Sequence, residues 1–187
     1  METVFSVSLP VWLQDLLQSF QPSFPSAEAK MKWVIGLSRM NIEHGTGGPF
    51  AAAVFEQNSG RLISAGVNLV ASCGLSIAHA EITALSLAQK TVGKHRLSCP
   101  SGGRYELYSS CQPCAMCLGA IPWSGISYVV CAAREEDARR AGFDEGHKPS
   151  DWCAGLEKRG INVHLDLLRQ EAADVIHQYA SEGGSIY

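Results

Sequence analysis

Ile126-Ser127-Tyr128-Val129-Val130-Cys131-Ala132 is an apolar run, and Ile161-Asn162-Val163-His164-Leu165 is a second, shorter one. The connection between them is roughly thirty residues long and contains helix-forming segments, far too long for a hairpin and right for a crossover. Two strands joined in that way lie parallel. Toward the N-terminus, Tyr105–Ser109 reads as another strand, separated from the first run by a helix from Pro113 to about Trp123. Ala51–Glu56 and Leu62–Leu69 read as two strands joined by a hairpin at Asn58-Ser59-Gly60. Helix, hairpin, then strands alternating with helices predicts a three-layer α/β/α sandwich around a central mixed five-stranded sheet with a parallel last strand.

The remaining segments fit around that sheet. Residues 1–25 form a lead-in, with a short helix starting near Ser8 and Pro10 and a stripe of Leu13, Leu16, Leu17 and Phe20. Pro22–Ser26 is a linker. Residues 26–180 form the main domain, and Ser26 caps its first helix, which buries Met31, Val34, Ile35, Ser38 and Ile42 and stops at Gly45. Ala71–Ser76 reads as a loop, Ile77–Val92 as a helix, and Glu135–Ala141 as a short, salt-bridge-laced helix. Asp151–Arg159, capped by Ser150, and Leu167–Tyr179 are the last two helices. The tail, residues 181–187, is polar apart from Ile186 and Tyr187.

The composition narrows the function. The chain has 187 residues, 46% of them hydrophobic, enough for a full core. A net charge of −3 leaves no electrostatic footprint for nucleic acid or an anionic membrane. No apolar run is long enough to span a bilayer, and no export signal opens the chain, so a cytoplasmic protein is expected. Seven cysteines, an odd number, then read as free thiols in a reducing compartment.

Two short motifs carry the chemistry. Pro113-Cys114-Ala115-Met116-Cys117 puts two sulfurs three residues apart at a helix start, where the helix dipole favours thiolate. His79-Ala80-Glu81 supplies an imidazole and a carboxylate at a second helix start. Alone, each residue has a bland reading: a packed histidine, a surface glutamate, a redox dithiol. Together, His79, Cys114 and Cys117 form a neutral set for one Zn²⁺ with a fourth position open for water, the pattern of a catalytic site. His79 and Glu81 lie roughly 200° apart around a helix. They converge only near its N-terminus, where Glu81 can serve the water as proton carrier rather than ligand. Cys73, Cys99, Cys111, Cys131 and Cys153 read as small apolar residues. Gly45–Pro49 is glycine-rich but precedes a strand, which argues against a phosphate loop.

His-x-Glu followed by Pro-Cys-x-x-Cys resembles the zinc-dependent cytidine/deoxycytidylate deaminase superfamily, from about Ala27 to Leu165. Gly48-Pro49-Phe50 before the first strand belongs to the same likeness, and within the superfamily Cys117–Ile121 and, still more, Ala141-Gly142-Phe143-Asp144-Glu145 look like the bacterial guanine deaminases. That resemblance implies one catalytic Zn²⁺ per chain and a homodimer converting guanine to xanthine and ammonia. It implies that Asn68 holds the purine, that Phe50 and Phe143 pack on its faces, and that Ala80 adds a backbone contact. Glu145 becomes a second carboxylate that accepts from the base's N–H groups, with Asp144 beside it. Ile186 and Tyr187 would anchor a lid over this chain's site or its partner's. Gln112 stands where many relatives have Glu. Guanosine, an amino-triazine such as ammeline, and cytosine are the alternative substrates, and adenosine in tRNA is disfavoured by the acidic balance. A dithiol redox protein is the remote alternative, and it leaves His79 and Glu81 idle.

Overall fold

A computed structural model describes residues 1, 3–19, 23–97 and 103–187. In chain order its elements are α1 (Val11–Ser19), α2 (Ala27–Glu43), β1 (Ala51–Glu56), β2 (Leu62–Val67), α3 (Val70–Cys73) and α4 (Ala80–Val92). β3 (Tyr105–Cys111), α5 (Ala115–Ser124), β4 (Tyr128–Ala133), α6 (Glu135–Arg140), α7 (Trp152–Glu157), β5 (Asn162–His164) and α8 (Arg169–Ser181) follow. Phe20, Pro22 and Cys99 lie outside the described residues.

The strands form one sheet in the order β2-β1-β3-β4-β5. β1 and β2 make the expected hairpin, with Ala51 opposite Val67. β3 lies parallel to β4, and β4 parallel to β5. A second antiparallel pair, β1 with β3, joins the hairpin to the parallel half.

Alternation along the strands explains the three layers. Ala51, Ala53 and Phe55 face one core with Met31, Val34 and Ile176, under α2 and α8. Ala52 and Val54 face the other with Ala84, Leu85 and Ile121, under α4 and α5. Successive side chains of a strand point to opposite faces, so a strand covered on both sides reads as a continuous apolar run. The ends of the parallel strands open beside the hairpin, the place where open α/β sheets bind ligands.

Several boundaries differ from the sequence reading, each for a local reason. β2 stops at Val67 because Asn68 turns the chain: its Oδ1 accepts from Val70 N at 3.1 Å and starts the short helix α3 in place of the expected loop. α7 begins at Trp152 after Asp151, not behind a Ser150 cap. α6 is salt-bridged as expected, yet its Asp137 is buried, accepting from Arg169 and from the Arg134 backbone N–H. Cys73 is exposed, against its expected apolar role, while Cys111 and Cys131 are buried.

Candidate active site

His79 and Cys114 occupy equivalent places. Each is the extended residue just before a helix, with φ −70°, ψ 156° at His79 ahead of α4 and φ −63°, ψ 172° at Cys114 ahead of α5. Their carbonyls accept the first helical bonds, from Thr83 N at 3.0 Å and Leu118 N at 2.8 Å. Both helices therefore start later than the sequence suggests: Pro113 precedes the cap residue, and residues 77–79 are not helical. Moving His79 off the helix barrel frees its ring to lie near Glu81, which sits in the first turn.

The two caps bring three donors together. His79 Nδ1 lies 3.5 Å from Cys114 Sγ, and the ligand atoms of His79, Cys114 and Cys117 all fall within 4.8 Å of one another. No fourth His, Cys, Asp or Glu joins the group among the described residues. A hydrogen bond from Cys117 holds the Cys114 thiol down to about 4 against the effect of burial, with His79 adding to it. Cys117 is pushed up by the same hydrogen bond. Burial opposes the His79 imidazolium, but Cys114 and Glu81 outweigh it and raise that group. The trio thus concentrates negative charge on sulfur beside an imidazole, a donor set matched to a thiophilic divalent cation.

Around these donors is a cavity of about 220 Å³. Glu81 lines it, and burial first, then the Cys114 thiolate, raises its carboxyl. Asn68, only 1% exposed, contributes from the end of β2. Phe50 and Phe143 both line it, but their rings meet edge to face at 4.9 Å, so they make one wall instead of two opposed plates. Ala80, the first residue of α4, is buried in the core, and Asp144 turns back to accept from Gly146 N at 2.9 Å. Glu145 is 6% exposed, and its Oε2 has no hydrogen-bond partner among the described residues. Burial, then Cys114 and Glu81, push that carboxyl up to about 8.

The tail crosses the cavity of its own chain. Tyr179 Oη donates to Ser185 O at 3.0 Å, Ile186 lies over Gly142, and the Tyr187 ring sits 5.5 Å from that of Phe143. The Tyr187 hydroxyl presses on Gly48 so closely that an added Cβ there would lie 2.2 Å away. Sequence reasoning misses the cavity residues Val70 and Ser76, and also Lys148. The Lys148 side chain is 2% exposed, donating to Pro113 O at 2.7 Å and pairing with Glu135 at 2.8 Å. In a polar loop sequence nothing distinguishes such a lysine from a solvated one. Gln112 lines the cavity and accepts from Glu135 N at 3.3 Å.

The family model of the cytidine and deoxycytidylate deaminase zinc-binding region matches residues 26–133. The chain belongs to this deaminase family. A guanine deaminase from Bacillus subtilis is 40% identical over 143 residues, covering 76% of this chain and 87% of that protein. A tRNA-specific adenosine deaminase from Buchnera aphidicola is 32% identical over 129 residues, 69% of this chain and 77% of its own. The solved structure of guanine deaminase from Nitrosomonas europaea superposes with a TM-score of 0.92 at 45% identity, covering 97% of this chain and 98% of that one. This deaminase is a zinc-dependent hydrolase, and no helix among its described residues is long and apolar enough to cross a membrane.

Proposed function

We propose that this chain removes the 2-amino group of guanine by hydrolysis, giving xanthine and ammonia. The carrying observation is Glu145 Oε2, a buried acceptor without a partner among the described residues, in the same cavity as Glu81, His79 and Cys114, with Cys117 behind them in the trio. An unsatisfied buried acceptor costs about 1–3 kcal/mol, so the site is built for a ligand that brings donors. Guanine presents two, N1–H and the 2-amino group, on the edge that carries the reacting carbon. The likeness to guanine deaminases from two organisms supports the same substrate. A cavity of about 220 Å³ is smaller than the roughly 300–1,000 Å³ of pockets for drug-sized ligands, which favours a free base over a nucleoside.

His79, Cys114 and Cys117 would hold the zinc. When bound, zinc lowers the pKa of a water toward about 7 and so supplies a nucleophile at neutral pH. Glu81 takes a proton from the attacking water and delivers it to a ring nitrogen as C2 becomes tetrahedral. Burial raises its carboxyl above its ordinary value, which makes it a stronger base toward the water. Glu145 accepts from the edge of the base with one oxygen. The proton that burial favours on its carboxyl goes to the departing amine, and the hydroxyl proton of the tetrahedral carbon returns to Glu145 as C2 becomes the product carbonyl. Asn68 Oδ1 is engaged by Val70 N–H, which leaves its amide N–H₂ to donate to the purine. Phe50 and Phe143 form the apolar wall. Ala80 and Asp144 act through the backbone and the turn they shape.

Residues 26–180 make the catalytic domain, α1 of the lead-in braces it through Trp12, and residues 181–187 close it, with Tyr187 over the site of its own chain. The enzyme works in purine catabolism in the cytoplasm as a homodimer. Met116 and Trp123, large apolar residues left exposed on α5, support a second copy there. Ammonia release from guanine, guanosine, ammeline, cytosine, cytidine and adenine, measured on protein of known zinc content, tests the reading. Guanine is expected to turn over fastest, with one zinc per chain. A metal-free protein with a reversible Cys114–Cys117 disulfide would replace it with a redox function.

A further inference from the structure

Asn41 is fully buried in α2, and no step of the chemistry uses it. Its carboxamide is nonetheless saturated: Nδ2 donates to Gly48 O at 2.8 Å and to Asn68 O at 2.9 Å, and Oδ1 accepts from the Thr46 hydroxyl at 2.7 Å. The Thr46 hydroxyl in turn accepts from the Trp12 indole N–H at 3.0 Å, and the Trp12 ring stacks on His44 with centroids 5.1 Å apart. A chain of hydrogen bonds therefore runs from α1 in the lead-in, through α2, to the backbone of Asn68.

The two carbonyls that Asn41 joins belong to segments that form the purine end of the cavity. Asn68 lines it directly, and its N–H donates to Phe50 O at 2.9 Å. Gly48 is the surface against which Tyr187 rests. Gly47 makes the approach possible, since a Cβ there would stand 1.9 Å from Asn68 O and 2.9 Å from Asn41 Nδ2. One amide thus sets the distance between the glycine loop and the end of β2.

We propose that Asn41 is a positioning residue for the purine, fixing Asn68 and the Gly47–Gly48 loop, with Trp12 and Thr46 as its outer support. This rests on Asn68 as a purine contact. Only a side chain with two donors and one acceptor at this length meets all three partners. In Asn41→Asp an oxygen faces two buried carbonyl oxygens, and in Thr46→Val the amide loses the partner that sets its orientation.

Steady-state kinetics with guanine on Asn41→Asp, Asn68→Ala and the double variant, with zinc content measured in each, test the inference. In Asn41→Asp, KM rises about tenfold or more while kcat changes less than about threefold and zinc stays at one per chain. In the Asn68→Ala background the same substitution shifts KM less than about twofold, because its route to the purine is gone. Equal shifts in both backgrounds would reduce Asn41 to a general fold stabiliser and overturn the proposal. So would a normal KM in Asn41→Asp beside an impaired Asn68→Ala. A normal KM in Asn68→Ala overturns the Asn68 contact itself, and the positioning role falls with it. If Asn41→Asp does not fold, Thr46→Val and Trp12→Phe carry the same cycle. Each is expected to raise KM about threefold with zinc retained, and unchanged KM in both overturns the proposal.

Discussion

His79, Glu81, Cys114 and Cys117 sit at the starts of two helices, each pair delivered within four residues of chain. Asn68, Phe143, Glu145 and Tyr187 come from a strand end, a loop and a tail, and share no local pattern. The metal end of the cavity is held by its own secondary structure, because a cap residue and the first turn after it have a fixed relation. The other end, where the purine is proposed to bind, is held by contacts made at long range: Asn41 to Asn68, Gly48 to Tyr187, Lys148 to Pro113. Substitutions at the metal end should abolish chemistry with the fold intact. At the purine end they should act by loosening backbone, with graded effects on binding and turnover.

The largest effect is expected at Glu81. Glu81→Gln keeps the side-chain volume and the trio of His79, Cys114 and Cys117 but removes the proposed proton carrier. Zinc content remains one per chain, and ammonia release from guanine falls by about 10²–10⁴. Metal analysis beside single-turnover kinetics checks both halves. Turnover near that of the unaltered enzyme would remove Glu81 from the proton path.

Glu145 probes the purine end, where a large loss of guanine turnover is expected for Glu145→Ala. Its titration can be read separately. The folded carboxyl sits at about 8 because of burial, then Cys114 and Glu81, whereas an unfolded Glu titrates at about 4.3. Between those values the folded chain holds the extra proton, so the stability contributed by Glu145 falls as pH rises through that window and levels off above it. Urea denaturation of zinc-free Glu145→Gln beside the unaltered chain, from pH 5 to 9, should show the difference moving in the variant's favour up to about pH 8. A pH-independent difference would mean that Glu145 is not the buried, proton-retaining group its surroundings imply.

The same contrast governs how much of the molecule is legible in its sequence. The sandwich, the hairpin and the parallel last strand follow from runs and connection lengths, which are local counts. His79, Cys114, Cys117 and Glu81 follow from donor chemistry at short spacing. The Asx turn at Asn68 is half legible: an Asn at a strand end is usually a turn former, and here the residue is that and a cavity wall together. Phe50 and Phe143 are legible as aromatic but not as touching each other, since their relative angle depends on how α6 and its loop pack. Asn41 and Lys148 are invisible. A buried asparagine inside a helix and a lysine in a polar loop are ordinary in sequence, and their meaning lies in carbonyls contributed by distant residues.

Gly48→Ala tests the tail. A methyl group there would meet the Tyr187 hydroxyl at 2.2 Å, so either the tail lifts or the glycine loop moves. The expected outcome is a roughly tenfold fall in kcat/KM for guanine with zinc retained and faster proteolytic cleavage after Tyr179. Tyr187→Ala in the same chain should add little further loss, because the contact is already broken. Additive losses would separate Gly48 from the tail.

The smallest effect is expected at Lys148, where the two ends of the cavity meet. Its ammonium joins Pro113 O, one residue before Cys114, to Glu135, and stands 5.6 Å from the centre of the Trp152 ring. Arg139 extends the clamp, bonding Glu135 at 2.7 Å and Gly146 O at 2.6 Å, while Ala115 N donates to Glu145 O at 2.9 Å. The Ala115 N–H therefore ties the backbone of Glu145 to the first turn of the cysteine helix, while Arg139 and Lys148 anchor the residues that follow it in the same loop. Lys148→Met keeps the buried stem but leaves the Pro113 carbonyl and one Glu135 oxygen without their donor, a loss of about 1–3 kcal/mol of stability. Because Ala115 and Arg139 still hold the loop, turnover of guanine should drop only about three- to tenfold, and zinc should stay bound. Lys148→Arg, which restores charge and donors, should recover part of both losses. A variant that loses zinc along with turnover would place Lys148 in the support of Cys114. Retained zinc with slowed turnover would place it in the support of Glu145.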